Sequence, residues 1–162
     1  MTARETTVAR HRRLDDGLAD ALRAAYVDAF EPARDRYATR VVLTDDEWRA
    51  AVVDDESSVK LVATVDGAPA GLVVVTDRPE LVDWLESTYL DEHFGDALAA
   101  RSLWFVVTAF VTAEGADEHV FDVLLDALVE LVGTGTILFD TGTEETPRTA
   151  FSRTIEARAV AG

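Results

Sequence analysis

From Leu103 to Val111 the chain runs almost without a polar side chain: Leu-Trp-Phe-Val-Val-Thr-Ala-Phe-Val. An unbroken run of β-branched and aromatic residues of this length fits a strand buried on both faces. Such a strand lies inside a sheet and needs covering layers on each side. The next stretch supplies one cover, because Val120, Val123, Leu124, Ala127, Leu128 and Leu131 recur at helical spacing. Asp122, Asp126 and Glu130 line the opposite, solvated face, and Gly133 is the expected stop. Residues 136–140, Thr-Ile-Leu-Phe-Asp, then read as a further strand lying beside the first.

Upstream, residues 7–13 alternate enough for a short first strand. Leu14, Leu18, Leu22, Ala25 and Ala29 place an amphipathic helix over about 15–30, with Pro32 marking its end. Thr44-Asp45-Asp46-Glu47 is a capping box that should start a second helix running to about Val53. Residues 59–65 and 70–76 are β-rich runs joined by Asp66-Gly67-Ala68-Pro69, a hairpin signal. Residues 79–94 read as a helical insertion holding Trp84, Tyr89 and Phe94, and 147–154 as a short last helix. With 162 residues and 48% hydrophobic content, the chain is expected to form one domain over 1–162. The fold class is α/β (α+β), a mixed central sheet flanked by helices.

Thirty-one acidic against 15 basic residues give a formal charge of -16, which repels nucleic acid and anionic membranes over most of the surface. With no apolar run long enough for a membrane span and no secretory stretch at the N-terminus, the expected location is the cytoplasm. The single lysine, Lys60, among 14 arginines fits a GC-rich bacterial genome. Zero cysteines exclude disulfides, thiolate zinc sites and thiol nucleophiles.

The order of elements, together with Ala29-Phe30-Glu31-Pro32, Arg40-Val41-Val42-Leu43-Thr44-Asp45-Asp46-Glu47-Trp48, Lys60-Leu61-Val62-Ala63, Gly67-Ala68-Pro69-Ala70-Gly71-Leu72 and Trp84, resembles the GNAT acetyltransferase superfamily. The likeness is to a poorly characterised actinobacterial group within it. The resemblance implies acyl transfer from an acyl-CoA to a small-molecule amine. The donor would lie where the fourth and fifth strands splay apart, its pyrophosphate on amides before a helix. On this frame Val111 and Leu124-Leu125 fall on the family's anchors, and Val111, Ala113 and His119 occupy cofactor-binding positions. The glycine positions of the phosphate loop become Asp117, His119 and Phe121, and the basic position becomes Ala116. Asp117 and Glu118 set like charge where phosphates would sit, and Phe121 adds bulk, so acyl-CoA is disfavoured as a cofactor and none is certain. Near the C-terminus Glu144, Pro147, Ala150 and Phe151 align with the family's Asn, Ala, aliphatic and proton-donating Tyr positions, and phenylalanine has no proton to give.

The best acid/base candidates are Tyr89 and His93, four apart on one helical face. Strand alternation would set Trp104, Val106, Thr108 and Phe110 on one face, so Trp84, Trp104 and Phe110 become candidate substrate-binding residues beside them. Asp91-Glu92-His93 and Asp117-Glu118-His119 repeat one tripeptide without a metal-ligand spacing, so no metal is expected. Arg148 and Arg153 read as solvated charge. The leading reading is a divergent GNAT-fold protein with a small-molecule ligand, either an acyltransferase or an enzyme turned to other chemistry. The rival is a non-catalytic binding or dimerising protein, a homodimer, with Phe121 and Phe151 filling the cofactor space.

Overall fold

The computed structural model describes residues 4–34, 43–83, 85–112 and 118–139. Five strands form one sheet in chain order. They are β1 (Thr6–His11), β2 (Val59–Val65), β3 (Ala68–Thr76), β4 (Leu103–Val111) and β5 (Thr136–Phe139). The first four are antiparallel neighbours, and β5 joins β4 in parallel, with Leu103 opposite Thr136 and Val106 opposite Phe139. The sheet is therefore mixed, and β4 lies inside it beside β5, as its apolar run requires. The β2–β3 turn is the Asp66-Gly67 pair alone, with φ of 51° and 82°, the left-handed pair that suits a tight hairpin.

Helix α1 (Asp16–Arg34) starts where the Asp15 carboxylate accepts the Leu18 amide at 2.9 Å. Pro32 does not end it. The helix runs two residues further, to Arg34, although a proline there removes one i→i−4 bond and its ring crowds the carbonyl four residues back. Its buried stripe is Ala19, Leu22, Tyr26 and Phe30, while Leu18, Ala25 and Ala29 pack only partly. Helix α2 (Asp45–Trp48) carries the expected capping box: Thr44 Oγ1 accepts the Glu47 amide at 3.3 Å and Glu47 Oε2 accepts the Thr44 amide at 2.9 Å. It runs on as a wider π-helical turn, Arg49–Asp54, which buries Val52 and Val53.

The insertion differs from the sequence expectation. A 3-10 turn at Pro79–Leu81 comes first, and helix α3 (Ser87–Ala99) starts later, ends later and bends at Phe94. Helix α4 (Glu118–Val132) stops at Gly133, whose φ is 62°.

Two cores result. On one face α1 and α2 cover Val62, Leu72, Val74, Phe105, Val107 and Phe110. On the other, Val120, Leu124, Leu125 and Leu128 of α4 cover Leu61, Ala63, Val73, Val75, Val106 and Ala109. Gly71 lets α4 sit this low, since a Cβ there would lie 2.9 Å from Leu124 Cδ1 and 3.1 Å from the Phe110 carbonyl oxygen. The last helix expected over 147–154, with Phe151, Arg148 and Arg153, lies outside the described residues, as do Asp140, Glu144 and Ala150.

Candidate functional site

A β-bulge decides what β4 presents. Val74 pairs with Thr108 but Val75 pairs with Val106, so Val107 is an extra residue in β4. The alternation slips by one at that point. Trp104, Val106, Ala109 and Val111 face the α4 core, whereas Phe105, Val107 and Phe110 face the α1 core. This corrects the expectation that Trp104 and Phe110 share a face. Phe110 is buried, its ring centroid 5.7 Å from that of Tyr26 and 6.5 Å from that of Phe30. Trp104 packs half-buried on the opposite side of the sheet. Trp84, the third proposed substrate-binding residue, lies outside the described residues.

The bulge lies next to the end of the described β4–β5 ladder. The last described β4–β5 pair is Val106 with Phe139, the final described residue of β5. Thr108, just past the bulge, is 1% exposed, and its Oγ1 has no hydrogen-bond partner among the described residues. An unpaired buried hydroxyl costs about 1–3 kcal/mol.

On the α1/α2 face, a cleft of about 250 Å³ reaches from Val107 to Asp55. Ala50 and Ala51 of the π turn, Leu81, Val82 and Val107 make its walls apolar, and Asp55, Ser57, Thr76, Arg78 and Asp83 supply polar groups. Thr76 is buried, and its Oγ1 accepts the Arg78 amide at 3.1 Å.

Asp55 is held in place by its neighbours. Its Oδ1 accepts both the amide and the hydroxyl of Ser57, at 2.8 and 2.5 Å. Burial pushes the Asp55 carboxyl up, but the Ser57 bonds, the Lys60 charge and Ser58 outweigh it and hold the group below the usual carboxylate range. Behind it the Lys60 ammonium, fully buried, donates to the Arg12 carbonyl at 2.6 Å and to the Asp55 carbonyl. Burial brings Lys60 down to about 8, against the opposing pull of Asp55.

Tyr89 and His93 do meet on α3, with ring centroids 4.4 Å apart. Both are exposed, Tyr89 at 53%, and neither lines the cleft. Of the cofactor-binding candidates, Val111 ends β4 half-buried opposite Gly71, and His119 is exposed in the first turn of α4. Ala113, Ala116 and Asp117 lie outside the described residues, as does the Glu118 side chain. Phe121 packs half-buried against the α4 core. Among the described residues no group of three His, Cys, Asp or Glu is placed to hold a metal ion, and no helix is long and apolar enough to cross a membrane.

Nothing local in the sequence marks the cleft's polar residues. Asp55, Ser57, Thr76, Arg78 and Asp83 come from separate segments, and no local spacing links them. One signal was present, the lone lysine at position 60 inside an otherwise apolar strand.

Four antiparallel strands, a fifth joined in parallel to the fourth, and a helix crossing between these two make up the GNAT acetyltransferase fold. The comparison with solved structures agrees. Ribosomal-protein-alanine N-acetyltransferase from Brucella melitensis biovar Abortus 2308 superposes with a TM-score of 0.58 at 19% identity, over 92% of this chain and 88% of that one. An aminoglycoside N-acetyltransferase, AAC(6')-Iy, solved with CoA, gives 0.59 at 15% identity over 96% and 88%. A structure described as a possible acetyltransferase from Clostridium difficile 630 gives 0.57 at 11% over 93% and 89%. No protein-family model and no curated protein matches the sequence.

Proposed function

We propose that this protein transfers an acyl group from an acyl-CoA to the amine of a small molecule held in the cleft between Asp55 and Val107. The observation that carries the reading is the cleft beside the β4 bulge: Val107, the extra residue of β4, lines an apolar cavity that also carries Asp55, Ser57, Thr76, Arg78 and Asp83. A donor thioester entering between the strands would meet an acceptor lying on the α1/α2 face. The amine nitrogen would attack the thioester carbonyl carbon, the C–S bond would break, the thiolate would leave with a proton and the new amide nitrogen would lose one. The solved aminoglycoside enzyme with CoA supports this reading by analogy of fold.

The donor would bind weakly. Asp117 and Glu118 bring like charge to the start of α4, and the chain as a whole carries -16. Phe121 does not add the obstruction expected of it to the same degree, because part of its ring is taken up by the α4 core. Acetyl-CoA affinity should therefore be weaker than low micromolar and should tighten as salt is raised, since salt screens repulsion. Calorimetry at two ionic strengths measures this, and affinity that weakens with salt would count against the repulsion. Release of free thiol from acetyl-CoA in the presence of an amine panel tests the activity itself. Amine binding without any thiol release would leave the binding-protein reading in its place.

Tyr89 and His93 stand outside this route. Replacing Tyr89 by Phe or His93 by Ala should leave turnover within about twofold and the melting temperature nearly unchanged, as for exposed positions. A large loss of turnover in either variant, at unchanged melting temperature, would return the pair to the mechanism.

A further inference from the structure

The π turn holds one residue more than its core contacts use. Trp48, Val52 and Val53 are the buried side chains of α2 and the turn, and all three pack into the core on the α1 side. On an α-helix the face that carries Trp48 recurs at 51, 52 and 55, which would turn Val53 away from that core. The wider i→i+5 turn buries Val52 and Val53 together instead. Taking out one residue between Trp48 and Val52 would set the two valines three and four places after Trp48, the spacing of an ordinary helix face. Arg49 and Asp54, whose charged groups lie 3.7 Å apart across the turn, would then stand four apart, also an ordinary helical spacing. The segment is thus an α-helix with one alanine inserted at Ala50-Ala51. Both of its ends are fixed, the start by the Thr44–Glu47 capping box and the end by the Lys60 ammonium on the Asp55 carbonyl.

An inserted residue interrupts the i→i+4 ladder, and such π turns gather at functional sites. Here the two alanines at the insertion are the part of the turn that lines the cleft, Ala50 exposed and Ala51 half-buried. We infer that Ala50, as the inserted residue, is a positioning residue for the ligand of the cleft: it serves the shape of the cleft wall and not the core. It acts through the places it gives Ala51 and Asp55, and it touches no reacting atom. The inference rests on the reading of the cleft as the acceptor site, while the shape of the wall can be measured without any ligand.

Deletion of Ala50 from the full chain tests it. The melting temperature should fall by less than about 5 °C, or rise, because an α register restores the same buried contacts. A larger fall, or a chain that does not fold, would show that the inserted residue serves the core and would overturn the proposal. The wall itself is read by labelling with methyl methanethiosulfonate, which the absence of cysteines makes specific to one introduced thiol. With Val107→Cys, in the cleft, deletion of Ala50 should change the labelling rate at least about fivefold, whereas with Ala109→Cys, buried in the α4 core, it should not. An unchanged rate at 107, or an equal change at both positions, would overturn the proposal. Where the wild type releases thiol from acetyl-CoA with an amine, the deletion should raise KM for that amine at least about tenfold and leave acetyl-CoA affinity within about twofold. An unchanged amine KM would discard the positioning role and keep acyl transfer. If the wild type releases no thiol with any amine, acyl transfer is discarded, and melting and labelling decide the role of Ala50.

Discussion

Lys60→Ala is expected to be severely destabilising, by about 3–5 kcal/mol. The substitution removes a buried four-carbon stem and leaves a cavity, a loss of about 2–5 kcal/mol for buried side chains of that size. It also strips the Arg12 and Asp55 carbonyls of their shared donor, at about 1–3 kcal/mol for each one left unpaired. Relief from burying an ammonium offsets part of this, which keeps the sum well below the arithmetic total. Because that donor ties the β1–α1 connection to the end of the π turn, the loss should also loosen the Asp55 wall of the cleft. Urea unfolding measures the effect, and a cost under 1 kcal/mol would show that the two carbonyls find other partners.

The same lysine makes stability depend on pH in a predictable direction. Its folded pKa is lowered to about 8 from the ordinary 10.5, so the folded state favours the neutral form more than the unfolded state does. Between those values the unfolded chain binds more protons, and stability rises with pH. The contribution is complete above about 10.5 and is lost as pH falls through about 8. Lys60→Met, which keeps the volume but cannot titrate, provides the reference. The stability of the wild type relative to Lys60→Met should grow between pH 8 and 10, and a flat difference would contradict the lowered value.

Much of the fold could be read from short-range chemistry, because the features involved are local. The Asp66-Gly67 turn, the Thr44–Glu47 capping box, the Gly133 stop and the apolar run of β4 each specify a backbone state within a few residues. The cleft could not be read in this way. Its register depends on the bulge at Val107, and a run that is apolar on both faces has no hydrophobic period for a bulge to interrupt. Simple alternation therefore puts Trp104 and Phe110 on one face, whereas they lie on two. Helical spacing likewise turns the small residues Ala25 and Ala29 toward the core, whereas the buried stripe of α1 carries Tyr26 and Phe30. The aromatic cluster those two make with Trp48 and Phe110 arises from three elements, α1, α2 and β4, brought together by packing, and the polar groups of the cleft likewise come from separate segments.

Gly71→Val should cost about 3 kcal/mol or more, and its effect should appear at α4. A Cβ at this position would already lie 2.9 Å from Leu124 Cδ1, 3.1 Å from the Phe110 carbonyl oxygen and 3.2 Å from Val120 Cγ1. The Leu124 methyl can swing aside, but the carbonyl belongs to β4 and can move only with the strand. Gly71→Ala is therefore expected to cost about 1–3 kcal/mol, the range for inserting one group into a filled core, and the two further methyls of valine add to it. The strain has one soft exit, which is to lift α4 from the sheet and with it the helix start where a donor's pyrophosphate would rest. Any acetyl-CoA binding should weaken more in Gly71→Val than in Lys60→Ala, although both are destabilised. A double-mutant cycle locates the clash. If Leu124 takes most of it, Gly71→Ala should cost less in a Leu124→Ala background, by about 0.5–3 kcal/mol of coupling. An unchanged cost there would place the strain on the Phe110 carbonyl instead, and hence on β4 just past its bulge.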